Sequence, residues 1–204
     1  MKIDIEKNDV IFNNINNLEE LWNFMKNNIK YGWTNNNHEY RDFDDNRKND
    51  EYFIHSAIET ISDGYGICMD QVQLEKEFCE FKKIPYTTIS FQFKDDKGNY
   101  LNYGHTFIIA YEDGEFKYFE RAFAPNANIV GFNTLEEAIS KSIAYYIMCF
   151  DDLKLQSVDN MLLYINPNYK VGMTTKEVFE TELNCNNKIN EYIEQIKTII
   201  KELS

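Results

Sequence analysis

A chain of 204 residues that is 43% hydrophobic and 15% aromatic can bury a core without disulfides or a metal, which argues against disorder over most of its length. A formal charge of -13 repels phosphate backbones and anionic lipid surfaces, so nucleic acid and membranes are set aside as partners. The start, Met1-Lys2-Ile3-Asp4-Ile5-Glu6, is charged where a secretion signal would be apolar, and no apolar run approaches the ~20 residues of a membrane span; the expected location is the cytoplasm.

The expectation is one domain over 1–204, with no internal repeat and no dividing linker. Residues 1–16 alternate weakly and read as a short edge strand or an ordered arm. From Asn17 the pattern is firmer: Asn17-x-x-Glu20 resembles a capping box, and Leu18, Leu21, Trp22, Met25 and Ile29 recur at helical spacing as far as Lys30. The polar stretch from Tyr31 to Asp50, headed by Tyr31-Gly32-Trp33, is longer than an ordinary connection. A second helix is expected over Tyr52–Ile61, stopping at Asp63-Gly64.

A third helix is expected from Cys68 to Lys82, with Leu74, Phe78 and Phe81 inward and Glu75, Glu77 and Glu80 on the wetter face; Pro85 forbids its continuation. Tyr86–Phe93 alternates with period two and reads as a strand. His105–Tyr111 and Glu115–Glu120 flank Asp113-Gly114, the dipeptide favoured in a tight hairpin because the turn needs positive φ. After Ala124-Pro125, Thr134-x-x-Glu137 starts a helix that runs to about Met148. Met161–Ile165 adds a strand, Thr174-x-x-Glu177 starts another helix, and an amphipathic helix closes the chain at about 187–203. That last helix either docks on the core or pairs two copies into a homodimer.

The fold class that follows is α+β, an antiparallel sheet flanked by helices. Chemistry concentrates in Gly64–Glu120. The four cysteines, Cys68, Cys79, Cys149 and Cys185, form no C-x-x-C pair and fit neither a zinc site nor a disulfide framework. Cys68 differs from the rest because it follows Gly64-Tyr65-Gly66-Ile67 and opens a helix, where unpaired N–H groups and the helix dipole favour an anion. Its own N–H is a natural oxyanion donor.

With Asp113 and Gly114 as the turn, Glu112 faces Glu115, and His105 and Glu120 share a face as diagonal neighbours about 7–8 Å apart at the backbone. Taken singly, His105 reads as a structural histidine and Glu120 as a strand end or a partner of Arg121. Together with Cys68 they compose a nucleophile, a base and a carboxylate that fixes the base's tautomer. His38 and His55 compete for the base, but neither has a carboxylate at a spacing that predicts a shared face. Asp70 and Gln71, within a turn of Cys68, either hold the helix start or line the site.

Gly66-Ile67-Cys68-Met69-Asp70-Gln71 before a helix, Gly104-His105-Thr106-Phe107 opening a strand, and Phe119-Glu120 closing the next resemble the transglutaminase-like superfamily of papain-like cysteine enzymes, in its bacterial type. Upstream, Ile29-Lys30-Tyr31-Gly32-Trp33 looks like the segment preceding the nucleophile in bacterial members. The resemblance covers residues 18–125. It implies a papain-like core, a Cys68 nucleophile, a His105 general base and acid, and Glu120 orienting His105, where Asp is commoner in the family. It also implies a side-chain oxyanion donor, for which Trp33 and Tyr31 are the candidates. Gln71 is a further candidate for substrate contact.

The expected activity is acyl transfer on a peptide, protein or small amide or acyl substrate, by hydrolysis or transglutamination, with no cofactor and no metal. The alternative is an inactive binding module that keeps the fold and captures a peptide or protein.

Overall fold

The computed structural model describes residues 10–42, 47–123, 127–150, 153, 155–183 and 189–203. The arm expected at 1–9, Ala124-Pro125, Cys185 and the first residues of the expected C-terminal helix lie outside the described residues. Residues 10–13 form a helical turn, not the strand that their weak alternation suggests, and bury Phe12.

Helix α1 spans Leu18–Asn28; Asn17 caps it by accepting the Glu20 N–H, and Leu18, Leu21 and Met25 are buried. Two short strands, β1 (Trp33–Thr34) and β2 (Tyr40–Arg41), pair antiparallel within the long polar segment. Of the helix expected over Tyr52–Ile61 only the second half forms, within α3 (Ala57–Asp63), and a separate helical turn, α2 (Lys48–Glu51), precedes it. Ser56 is the reason: its hydroxyl accepts from Glu59 N–H while the Glu59 carboxylate takes the Ser56 N–H, a capping box that starts a new helix there. The intervening Tyr52 and Ile54 are buried with Trp33, Ile67, Tyr169 and Val178.

Helix α4 (Cys68–Lys82) ends on Lys83 in the left-handed conformation, ahead of Pro85. The main sheet follows with β3 (Tyr86–Lys94), β4 (Tyr100–Glu112), β5 (Glu115–Glu120), β6 (Asn128–Phe132) and, after helix α5 (Leu135–Met148), β7 (Met161–Ile165). Its order is β6-β5-β4-β3-β7 and every pairing is antiparallel. Glu112 faces Glu115 as the Asp113-Gly114 turn predicts, with both turn residues at positive φ. Helices α6 (Thr175–Leu183) and α7 (Ile189–Leu203) complete the chain.

This is a mixed α+β arrangement, a curled antiparallel sheet flanked by helices. One face carries Phe91, Phe107, Ile109 and Tyr118 against Ile139, Ile143 and Ile147 of α5 and Tyr192 and Ile196 of α7. The other carries Ile108, Ala110 and Phe119 against Leu21 and Met25 of α1 and Leu74 and Phe78 of α4. The alternation along β4 therefore assigns odd positions to one layer and even positions to the other. Each fully buried Phe or Leu contributes roughly 1.5–3 kcal/mol of burial. The α7 stripe is spent on α5, with the Ser140 hydroxyl donating to Gln195 Oε1 at 2.7 Å. Among the described residues, no helix is long and apolar enough to cross a membrane.

Candidate active site

Cys68 is the first residue of α4, and the turn before it is held from three directions. Gly64 ends α3 at φ 71°, a conformation that would strain any residue with a Cβ. A Cβ on Gly66 would sit 3.0 Å from both Asp70 Cβ and Thr60 Cγ2, so the turn lies flat on the helices it joins. The Lys30 N–H donates to Gly64 O at 2.9 Å and the Gly66 N–H donates to Lys30 O at 3.1 Å, which fixes Tyr31 beside the turn. From within α4, Asp70 Oδ2 accepts the Ile67 N–H at 2.9 Å and Gln71 Nε2 donates to Gly66 O at 2.8 Å.

His105 projects from β4 onto the α5 face, buried at 6% exposure, with its ring stacked on Tyr146 (centroids 5.5 Å apart, planes 13° apart) and ringed by Phe91, Phe107 and Phe123. Its Nε2 is hydrogen-bonded to Glu120 Oε2, and the Cys68 side chain is its other polar neighbour. With Nε2 committed to Glu120, Nδ1 is the ring atom left for the sulfur. The β4–β5 pairing runs from Glu112↔Glu115 to Ile108↔Phe119, so His105 lies beyond its end.

Glu120 is itself fully engaged. Its Oε1 accepts the Phe123 N–H at 2.7 Å, its Oε2 lies 3.2 Å from the Tyr118 hydroxyl, and its backbone carbonyl accepts the Trp22 indole N–H at 2.8 Å. Arg121 turns away to the carbonyls of Lys26 and Ile29 at 3.4 and 3.3 Å. Burial pulls the His105 imidazole down, but the Glu120 charge, hydrogen bonds to Cys68 and Glu120, and the Cys68 charge push it up to about 10.

The chain matches no protein-family model and no curated protein.

Of the remaining candidates, Trp33 does not face the site: it is fully buried and its indole N–H donates to Asp42 O at 3.0 Å, so it is core beneath the turn. Tyr31 does face it. The Cys68 N–H donates to the Tyr31 hydroxyl, and the phenol is pushed up by burial first, then by the nearby charges of Cys68 and Glu120. The residue as a whole is 38% exposed. Gln71 is 1% exposed and its Oε1 has no hydrogen-bond partner.

Two groups near the site escape a reading by sequence. Glu75, expected on the wet face of α4, is 2% exposed with an unpartnered Oε2, and burial followed by the Glu120 charge pushes its carboxyl well above the carboxylate range. Tyr146, from α5, caps the imidazole and donates its hydroxyl to Gly104 O at 3.4 Å. The competing histidines do have carboxylates, Asp70 for His55 at 3.2 Å and Asp63 for His38 at 3.0 Å, across loops whose spacing gives no hint of it. Among the described residues, no group of three or more His, Cys, Asp or Glu could hold a metal ion.

Proposed function

We propose that the chain is a cysteine-dependent acyl-transfer enzyme in which Cys68 is the nucleophile, His105 the base and acid, and Glu120 the group that orients His105. The observation that carries this reading is the imidazole of His105, bonded to a buried carboxylate and neighboured by a cysteine at a helix N-terminus. The likeness of Gly66–Gln71, Gly104–Phe107 and Phe119-Glu120 to transglutaminase-like motifs, with the papain-like core it implies, supports the same reading.

In the reaction, the Cys68 thiolate attacks an amide or thioester carbonyl carbon, forming a C–S bond and moving the carbonyl pair onto oxygen. The Cys68 N–H and the Tyr31 O–H are the donors for that oxyanion, once Tyr31 releases the N–H it occupies. The tetrahedral intermediate collapses as the C–N or C–S bond to the leaving group breaks and the His105 imidazolium supplies its proton. Water or an amine then attacks the acyl-enzyme, returning a proton to His105 and the electron pair to sulfur.

The test is iodoacetamide labelling read by mass spectrometry. Cys68 is expected to react faster than Cys149, which is exposed, and to lose that advantage in His105→Ala. Equal reactivity of the thiols would falsify the reading. The second reading, an inactive module that binds a peptide or protein, is favoured by one observation: the Tyr31 hydroxyl covers the N–H that an oxyanion would use. A panel of acyl-amide substrates compared between the wild type and Cys68→Ala separates the two, since only the enzyme shows turnover that Cys68→Ala abolishes.

A further inference from the structure

We propose that His55 is a buried imidazolium that positions Cys68 through Asp70, making His55–Asp70 a second histidine–carboxylate pair behind the nucleophile. The positioning half rests on the acyl-transfer reading; the charge on His55 does not.

Asp70 is fully buried and accepts from the Tyr52 hydroxyl at 2.9 Å and the His55 backbone N–H at 2.9 Å on Oδ1 and from the Ile67 N–H at 2.9 Å on Oδ2, while His55 Nδ1 stands 3.2 Å from Oδ1. With three O–H and N–H donors already on its two oxygens, Asp70 serves as an acceptor toward the ring as well, so Nδ1 carries a hydrogen. On the other side of the ring, Nε2 lies 3.2 Å from Thr34 Oγ1, and the single Thr34 hydroxyl hydrogen is given to Asp63 Oδ2 at 2.6 Å. Thr34 then has only lone pairs to offer, so Nε2 carries a hydrogen as well. An imidazole protonated at both nitrogens is an imidazolium.

Its surroundings suit the charge. His55 is 2% exposed, lies against the Phe53 ring at 4.6 Å with the planes tilted by 36°, and stands between Asp70 on α4 and Asp63 on α3, with Glu59 of α3 adding negative charge. Burial pulls the imidazole down, and the Asp70 hydrogen bond and charge, then Glu59 and Asp63, raise it beyond the ordinary histidine value. Asp63 also meets the exposed His38 at 3.0 Å, so the line Asp70–His55–Thr34–Asp63–His38 joins the buried turn to the surface. The inner end is what matters for Cys68. Asp70 holds the N–H of Ile67, the residue immediately before the nucleophile, and a neutral His55 would weaken the hold on Asp70.

Nitrogen-15 NMR of the histidine rings, followed from about pH 5.5 to 8.5, reads the charge directly, and Thr34→Val removes the acceptor for Nε2 while keeping the side-chain shape. In the wild type and in Cys68→Ala, both His55 nitrogens are expected to give protonated-type shifts at about pH 7. In Thr34→Val, with folding checked by circular dichroism, the His55 titration is expected to move down. Cys68 alkylation in that variant is expected to slow about tenfold at pH 8, the scale of one charged hydrogen bond, and to approach the wild-type rate at pH 5.5. One unprotonated-type His55 nitrogen in the wild type at pH 7 would overturn the proposal. A shifted titration with an alkylation profile superimposable on the wild type would overturn the positioning role. If Cys68 shows no preference over the other thiols in the wild type, the acyl-transfer reading and the positioning role fall together, and the NMR spectrum alone still decides the buried charge.

Discussion

Glu120 meets His105 Nε2 through Oε2 and the Phe123 N–H through Oε1, so its two oxygens each serve a different donor. A glutamine has one oxygen and one NH2 group. Whichever way Glu120→Gln turns, an amide nitrogen is set against the His105 N–H or the Phe123 N–H. The expected result is a loss of about 10²–10⁴-fold in kcat/KM from the misdirected imidazole. Steady-state kinetics on the first substrate found would check it, and a loss below about threefold would remove Glu120 from the triad.

The pH dependence follows from His105. Its imidazolium persists in the folded protein up to about 10 because Glu120 and Cys68 outweigh the burial that opposes the charge. The sign is that of a raised histidine: the stabilisation is complete below the ordinary value of about 6.5 and lost as pH rises through about 10. The imidazolium is also the proton donor to the leaving group. The alkaline limb of kcat for an amide substrate is therefore expected near 10, and a limb centred at 6 to 7 would show that His105 is not held by the two partners.

Local signals made much of the frame legible. The Asn17 and Thr134 caps, the Asp113-Gly114 turn and the period-two run of β3 each write their own element, and the hairpin register carried His105 and Glu120 to one face. Failures occurred where tertiary contacts outvoted composition. Strand β6 is short, and Asn128 and Gly131 interrupt its strand-forming Ile129, Val130 and Phe132, so pairing with β5 is what completes it. Strand β4 begins at Tyr100, ahead of the His105 start that its apolar run suggests, because the residues around Gly104 are paired on β3. Tyr146 lies far along the chain from His105, and no spacing rule joins a helix face to a strand across the core. Trp33 was attractive as a donor because indole N–H groups suit oxyanions, yet the nearby Asp42 carbonyl claims it.

Glu75 gives a stability prediction opposite to the usual cost of altering a buried group. Because burial raises its carboxyl well above the ordinary range, folding above about pH 4.3 requires taking up a proton that the unfolded chain has released. Wild-type stability thereby falls by up to about 1.4 kcal/mol per pH unit until the folded carboxyl also ionises. Glu75→Gln keeps the shape without that proton. The variant is expected to melt higher than the wild type at pH 8 and to show a flatter dependence between pH 5 and 8. Parallel denaturant curves for the two proteins over that range would mean that Glu75 is ionised in the fold.

Tyr31 separates a working site from a covered one. Its hydroxyl accepts the Cys68 N–H, the donor that an oxyanion at the nucleophile would use. An oxyanion entering between them would displace the phenol by about one atom and gain both donors, an interaction made only as charge develops. Tyr31→Phe is therefore expected to lower kcat by about 10²-fold with KM changed little. If the phenol were merely a cover, its removal would free the Cys68 N–H, and substrate would bind more tightly with kcat unchanged or raised. Measuring kcat and KM separately for Tyr31→Phe, with the Cys68 alkylation rate as a control that the thiol is undisturbed, distinguishes donor from cover.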